Sequence, residues 1–317
     1  VVDAKFEPYA MNGGLVAAVA GKDFSIVAID TRMVGDGGYQ LSSRNHVASR
    51  LWDAQDGMSS SSSSSISSRI AQHLESMQWK GHDGRGDRGN GRDTDCDLRS
   101  YTIHDETLPN AVPVWVASSG CSTDCETLKR TIQSDVHASQ FFGHSQANAC
   151  EQVANLLSQM LYLRRGFPYY SFCVVSSLDG DDGGQAFCYD AIGSYEKVAV
   201  ATGGTGRELL QPILDRLFSS KPDGADTSGR AKSDSERTAH YRPQRPATQV
   251  TCDVNEAIGY LIQGYRSVSE REIGVGDKIA VCVMEVDKTE AGIVDDGGAA
   301  LKRKRRCRVL IVPMKEH

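Results

Sequence analysis

The chain has 317 residues, of which 39% are hydrophobic and 24% are charged, and its formal net charge is -6. This length allows one large core or two smaller domains, and the mild acidity argues against a general nucleic-acid binder, whose domains are usually basic. The sequence holds no run that approaches the roughly 20 apolar residues needed by a membrane helix. We therefore expect a globular protein whose partners are neither nucleic acids nor membranes.

The predicted elements begin with a hairpin. Apolar runs at residues 14–20 and 24–30 are separated by Gly21, Lys22 and Asp23, which is a hairpin signal. Both runs are almost continuously apolar, and this suits a sheet that is covered on both faces. Further strands are predicted at residues 113–117, 169–175, 185–189, 195–201, 278–286 and 308–312.

Helices are predicted where apolar residues recur at helical spacing. These segments are residues 121–137, 146–165, 207–218 and 255–270. The order along the chain is strands, two helices, strands, two helices and strands. Hairpins imply antiparallel sheets and paired helices imply covering layers, so we expect an α+β fold in which helices cover two stacked sheets.

Three polar stretches interrupt this pattern, at about residues 54–107, 219–249 and 287–300. They are rich in Gly, Ser, Asp and Arg, and such segments bury too little apolar surface to offset their ordering entropy. Closure entropy grows only slowly with loop length, so long insertions are tolerated. We predict one domain over residues 1–317 with three surface insertions, the first of them the most protease-sensitive.

Three shorter motifs each allow two interpretations. Residues 203–206 (Gly-Gly-Thr-Gly) precede a helix, where they could bind phosphate or allow close packing of a strand-to-helix turn. Residues 179–184 are acidic and could bind calcium or form an exposed hairpin turn. Residues 302–306 (Lys-Arg-Lys-Arg-Arg) could be a nuclear localisation or polyanion-binding patch, or a solvated charge run.

The nine cysteines lack C-x-x-C spacing, so free thiols in a reducing compartment are expected rather than disulfides or zinc. The eight histidines show no paired metal spacing either, and we predict neither a metal nor a cofactor.

Several distinctive strings lie along the chain, at residues 6–14, 26–32, 119–120, 124–125, 163–170, 189–195, 203–204, 210–215 and 269–277. Together they resemble the corresponding strings of proteasome beta-type subunits. Three are especially characteristic: the Arg-Arg-Gly-Phe-Pro-Tyr-Tyr string, Asp-x-x-Gly-Ser-Tyr and Leu-Gln-Pro-x-Leu-Asp. Apart from the three insertions they span nearly the whole chain, and the resemblance implies a four-layer αββα sandwich of the N-terminal-nucleophile type.

Active members of that family use an N-terminal Thr as nucleophile, with its amine as base. The resemblance puts this position on Gly14, which has no side chain. It puts the structural Asp of the family on Asp30 and its Lys on Ala48, so we expect the positive charge to be missing. The Asp and Ser that support the Thr correspond to Glu272 and Val275.

The resemblance therefore implies a non-catalytic beta subunit of the 20S core particle, supporting ubiquitin- and ATP-linked protein degradation by active neighbours. Its partners would be neighbouring beta subunits, the alpha ring and the opposite beta ring, in cytoplasm and nucleus. Gly120 matches a glycine that holds substrate, so a binding cleft is expected to persist. Asp190 either lines the substrate pocket of an adjacent active subunit or simply forms a turn. The alternative function is an active threonine peptidase.

Overall fold

The computed structural model describes residues 9–35, 40–56, 66–79, 101–108, 112–141, 148–179, 183–219, 247–286 and 304–314. Within these ranges the chain forms thirteen strands and five helices. All pairings between the strands are antiparallel. The predicted α+β class is confirmed to this extent.

Sheet I contains both arms of the predicted hairpin. Its strands are β1 (Leu15–Ala20), β2 (Phe24–Asp30), β6 (Thr102–Leu108), β11 (Val200–Gly204), β12 (Lys278–Val286) and β13 (Arg305–Pro313). They lie in the order β11-β1-β2-β12-β13-β6. The hairpin is therefore flanked on both sides by strands from the second half of the chain.

Sheet II is smaller. Its strands are β5 (Leu51–Asp53), β7 (Trp115–Gly120), β8 (Ser171–Asp179), β9 (Gly183–Tyr189) and β10 (Tyr195–Lys197). They lie in the order β10-β9-β8-β7-β5, and a separate ribbon pairs β3 (Met33–Val34) with β4 (Leu41–Ser43). The pairing of β8 with β9 confirms that these two strands form the predicted hairpin, and residues 180–182 of the predicted turn lie outside the described ranges.

The helices are α1 (Ile66–Trp79), α2 (Ser122–Phe141), α3 (Ala149–Leu163), α4 (Arg207–Ser219) and α5 (Val254–Ser269). One buried cluster joins α4 and α5 to sheet I, and another joins α2 and α3 to sheet II. A third cluster lies between the two sheets. Each sheet thus faces the other sheet on one side and a helix pair on the other.

Strand β1 shows why a continuously apolar sequence was needed. Leu15, Ala17 and Val19 pack towards α4 and α5, whereas Val16 and Ala18 pack towards sheet II. Successive side chains of a strand point to opposite faces, so both sets must be apolar when both faces are covered.

Residues 195–201 were predicted as one strand, and this is wrong. The segment forms the end of sheet II as β10 and then enters sheet I as β11. Between them, the N–H of Val198 donates to Ala186 O and the N–H of Ala199 donates to Ala247 O. No Gly or Pro stands between β10 and β11, so the sequence showed no break at the change of sheet.

The prediction that residues 54–107 form a surface insertion is wrong for two parts of that range. Ile70 and Leu74 of α1 are fully buried between the sheets, and β6 pairs with β13 at the edge of sheet I. The sparse apolar residues of α1 lie one turn apart, and two such residues are enough to dock a helix. Residues 57–65, 80–100, 220–246 and 287–303 lie outside the described ranges.

The basic run at residues 302–306 leads into β13, where acidic neighbours neutralise part of it. Arg306 forms an ion pair with Asp105 of β6, and Arg308 Nε lies 2.9 Å from Glu285 Oε1 of β12. The eight cysteines that the structure describes are free, as predicted, and Cys96 lies outside the described ranges. None of the described helices combines the length and apolar character needed to cross a bilayer.

Asp53 gives a prediction on pH dependence. Its Oδ1 accepts hydrogen bonds from the N–H groups of Gln55 and Val114, at 3.0 and 3.1 Å. Burial and the nearby Asp56 raise the pKa of Asp53 to about 7, although those two hydrogen bonds oppose the shift. A raised carboxyl pKa means that the folded state holds the proton more tightly than the unfolded state. The contribution of Asp53 to stability is therefore full below about pH 4 and is lost as the pH rises through 7.

Asp53→Asn keeps the acceptor oxygen but does not titrate. We expect the unfolding midpoint temperature of the variant to exceed that of wild type by an amount that grows from pH 4 to pH 8 and reaches about 2–4 °C. Tryptophan fluorescence will measure this, because Trp52 and Trp115 are buried beside Asp53. Asp135→Asn, on α2, is the control and should show no such trend. A constant difference between Asp53→Asn and wild type across the pH range would contradict the prediction.

Candidate functional site

The candidate site lies where β1 begins and β2 ends. Asp30 is the last residue of β2, and its Oδ1 lies 2.6 Å from Nη1 of Arg50. The side chain of Asp30 is 0% exposed and that of Arg50 is 3% exposed. A charged pair this deeply buried must have its remaining donors and acceptors satisfied, because desolvation of both ions is costly.

Asp30 meets this requirement through the backbone. Its Oδ1 also accepts from the N–H of Leu15 at 2.9 Å, and its Oδ2 accepts from the N–H of Gly276 at 3.2 Å. Burial raises the pKa of Asp30, while the Arg50 guanidinium and these backbone donors oppose the rise. One carboxylate thus connects the start of β1 to the loop before β12.

The remaining donors of the Arg50 guanidinium are satisfied by backbone carbonyl groups. Its Nη1 also donates to the carbonyl oxygens of Asp30 and Arg32, at 3.1 and 2.6 Å. Its Nη2 donates to Gly13 O at 3.2 Å. The planar fork of the guanidinium therefore spans from β2 to the peptide that precedes Gly14.

The guanidinium also occupies the space beside Gly14. A Cβ atom added there would lie 2.4 Å from both Cζ and Nη2 of Arg50. The backbone of Gly14 has φ +106, a conformation that residues with side chains rarely adopt. Sterics and backbone conformation both require glycine where the resemblance expects the nucleophile.

Ala48 offers no cation, but the expectation that the positive charge of the site is missing does not hold. The turn that precedes β5 brings Arg50, two residues later, to Asp30. Ala48 instead lines a neighbouring cavity of about 410 Å³, and its carbonyl accepts from Lys129 Nζ at 3.0 Å. The site therefore keeps a positive charge. The signal available in the sequence was the basic residue just beyond Ala48.

The loop at residues 272–277 reaches the site with its backbone. Gly274 O accepts from the N–H of Gly14 at 3.1 Å, and Glu272 Oε1 accepts from the N–H of Gly274 at 3.2 Å. Val275 points away, into the core beneath α4 and α5. Glu272 supports the loop, and Val275 contributes packing.

Thr205 was missed as a site residue. Its N–H donates to Gly14 O at 3.0 Å, and its Oγ1 lies 3.4 Å from the same oxygen. A Cβ at the preceding Gly204 would lie 2.1 Å from Gly14 O. Close approach of two backbones explains this glycine-rich turn, and the N–H of Thr205 is not free to bind a phosphate.

Gly120 lies across the cleft from the ribbon strand β3, but its carbonyl is occupied. The N–H of Asn12 donates to Gly120 O at 3.1 Å. The chain itself thus holds the place in which the resemblance expects substrate. Among the described residues, no group of three or more His, Cys, Asp or Glu side chains is arranged to hold a metal ion.

Most of the residues that line the cavity beside Ala48 are of polar types, and they include His46 and Ser49. His46 Nε2 lies 2.8 Å from Ser49 Oγ. Burial, followed by the charge of Arg50, lowers the pKa of His46 to about 4, so its ring is neutral at pH 7.

Asp190 is not part of this constellation. It is exposed at the turn between β9 and β10, where its Oδ1 accepts from the N–H groups of Ile192 and Ser194 at 3.0 and 2.8 Å. These bonds fit the turn-forming interpretation. Neither of these two hydrogen bonds involves the other carboxylate oxygen, Oδ2.

Residues 112–231 match the family model described as Proteasome subunit. Several curated proteins named proteasome subunit beta type-1 are similar over most of their length, among them the proteins of three species. The one from Arabidopsis thaliana is 26% identical over 92% of this chain and 96% of its own length. The one from Danio rerio is 27% identical over 92% and 89%, respectively. The one from Oryza sativa subsp. japonica is 28% identical over 90% and 95%.

The contact between Gly14 and Arg50 gives a stability prediction. Gly14→Ala should lower the free energy of unfolding by at least about 2 kcal/mol, because the new Cβ meets the guanidinium and the backbone conformation disfavours it. Chemical denaturation will measure the loss. In an Arg50→Lys background, which has a narrower head group, the same substitution should cost less, since residues in contact are not additive.

The matched control is Gly166→Ala. No heavy atom lies within 4 Å of a Cβ at Gly166, so the expected change is below about 0.5 kcal/mol. Equal costs for Gly14→Ala in the wild-type and Arg50→Lys backgrounds would show that the two residues do not compete for space.

Proposed function

We propose that this chain is a non-catalytic beta subunit of the 20S core particle. The premise is that it carries a proteasome-family domain and is a homologue of beta type-1 subunits. In this role it supports ubiquitin- and ATP-linked degradation that its active neighbours carry out. The arrangement of two sheets between two helix pairs is then the four-layer αββα sandwich of the N-terminal-nucleophile type.

One observation carries the non-catalytic assignment. The position at which active members hold their Thr is Gly14, and the Arg50 guanidinium fills the space that a side chain would need there. A nucleophile needs a hydroxyl or thiol within reach of a base, and this position offers neither. The alternative of an active threonine peptidase would require displacing a buried ion pair.

The proposed partners are the two adjacent beta subunits, the alpha ring and the opposite beta ring. An exposed apolar patch supports assembly of this kind. Its members are large, solvent-exposed side chains at the end of α3 and at the neighbouring β9–β10 turn: Tyr162, Leu163, Phe167, Ile192 and Tyr195. The turn and α3 are in contact, because Gly193 packs against α3 and Ser158 Oγ donates to the Gly193 carbonyl at 2.6 Å. Grouped exposed apolar residues are typical of protein interaction sites.

We extend the proposal to the cytoplasm and nucleus. The eight free thiols among the described residues are in keeping with a reducing compartment.

The assembly and the missing activity can be tested together. Native mass spectrometry of the purified particle should find the chain in a megadalton-class assembly. A threonine-directed covalent inhibitor should label active neighbours and leave this chain unlabelled, as judged by intact mass. An adduct on this chain would establish the peptidase alternative, and finding the chain only as a monomer or dimer would refute membership in the particle.

Asp190 gives a separate prediction, on the proposal that its charge serves a neighbouring active subunit. Asp190→Asn keeps the Oδ1 acceptor of the turn but removes the charge, whereas Asp190→Ala removes both. If the charge attracts basic substrate side chains, both variants should lower the neighbour's preference for basic over acidic peptides by about 5-fold, equivalent to about 1 kcal/mol.

Fluorogenic peptides that differ only in the charged residue will measure this preference in assembled particles. Should Asp190→Asn match wild type while Asp190→Ala alone changes the preference, the role of Asp190 is confined to the turn.

A further inference from the structure

The segment before Gly14 lies in the cleft without regular secondary structure. We call residues 9–13 the N-terminal strap. The N–H of Asn12 donates to Gly120 O on one wall, and the N–H of Val34 donates to Asn12 O on the other, both at 3.1 Å. These are main-chain bonds of the type with which an extended peptide adds to exposed strand edges. Any peptide that entered the cleft would need the same groups of Gly120 and Val34.

The side chain of Asn12 also forms hydrogen bonds to both walls of the cleft. Its Nδ2 donates to Val34 O at 3.0 Å, and its Oδ1 accepts from the N–H of Ser122, at the start of α2, at 2.8 Å. The residue is only 8% exposed. Asn12 thus bridges β3, β7 and α2, and its amide has partners at both ends.

The outer end of the strap is fixed by aromatic contacts. The ring of Tyr9 stacks on Phe167 at a centroid distance of 5.3 Å and lies 5.5 Å from the ring of Tyr170. Its hydroxyl donates to Pro168 O at 2.8 Å. This anchor lies beyond the cleft, so the strap is held along its described length.

The inner end is held by Arg50, through the bond from Nη2 to Gly13 O. We propose that Arg50 is a latch that keeps the strap in the cleft, so that the chain's own residues 9–13 exclude extended peptides from it. The same guanidinium forms the ion pair with Asp30, and its position is therefore fixed by the core. This inference goes beyond the loss of a nucleophile, because a non-catalytic cleft could still bind peptide.

Amide hydrogen exchange, read at the amides of Asn12 and Val34, tests the latch. Arg50→Lys keeps a cation for Asp30 but loses the fork that reaches Gly13. We expect exchange at Asn12 and Val34 to become about 10-fold faster, since a charge-assisted bond to the strap is lost. Exchange at Val27 and Val281, in the centre of sheet I, should stay within about 2-fold of wild type.

Arg32→Lys is the matched control. Arg32 donates to Asp277 and to Ile273 O, beside the site but on the side of the 272–277 loop, and its substitution should leave both strap-dependent amides protected. Equal acceleration at Asn12 and in the central strands of Arg50→Lys would show that Arg50 only supports the core. Unchanged exchange at Asn12 and Val34 would also overturn the latch.

Occupancy of the cleft is tested without altering the ion pair. Tyr9→Ala/Asn12→Ala removes the outer anchor and the side-chain bridge, and should expose the amide of Val34 to exchange at least about 10-fold faster. A fluorescein-labelled peptide with the sequence of residues 7–14 should then bind to this variant, as measured by fluorescence anisotropy, and not to wild type. Binding of that peptide to wild type would show that the strap does not close the cleft.

Discussion

The buried ion pair between Asp30 and Arg50 is the constraint on which the rest of the site depends. Two opposite charges 2.6 Å apart and almost fully removed from water are stable only if every remaining donor and acceptor is matched. The matching groups belong to Leu15, Gly276 and Gly13. Removing either charge would leave the other buried and unpaired, a change that typically costs about 3–5 kcal/mol. The pair therefore fixes the geometry of three separate segments.

Under the proposed function, this constraint also bears on Gly14, the position that corresponds to the nucleophile of active family members. A missing side chain normally leaves a gap, which a single substitution can fill. Here the space next to Gly14 is already taken by the guanidinium, and Gly204 lets its backbone approach the Gly14 carbonyl more closely than a Cβ would permit. A nucleophile at this position would therefore require changes at both Gly14 and Arg50.

The sequence was informative where burial follows from local pattern. Residues 14–30 could be assigned to a two-sided hairpin because both faces of both strands had to be apolar. In the structure, the hydroxyl of Tyr265 on α5 donates hydrogen bonds to Ala28 O and Leu15 O of that hairpin, at 2.7 and 3.2 Å. Pattern failed where position depends on distant partners. The change of sheet at Val198 and the docking of Leu74 are examples. The same holds for Arg50. Its sequence context alone would predict a surface cation, and only the position of Asp30 in the fold explains its burial.

The strand order of sheet I also bears on how the chain is made. The edge of β2 that does not pair with β1 pairs with β12, so that Asp30 stands opposite Ile279, and β12 pairs in turn with β13. During synthesis the hairpin of β1 and β2 leaves the ribosome well before β12, because the two are far apart in the sequence. Contacts between such distant segments form slowly, and an unpaired apolar edge invites association with other chains. A stalled or truncated nascent chain would therefore expose the unpaired apolar edge of β2, to which strands of other chains could pair, for as long as β12 is missing.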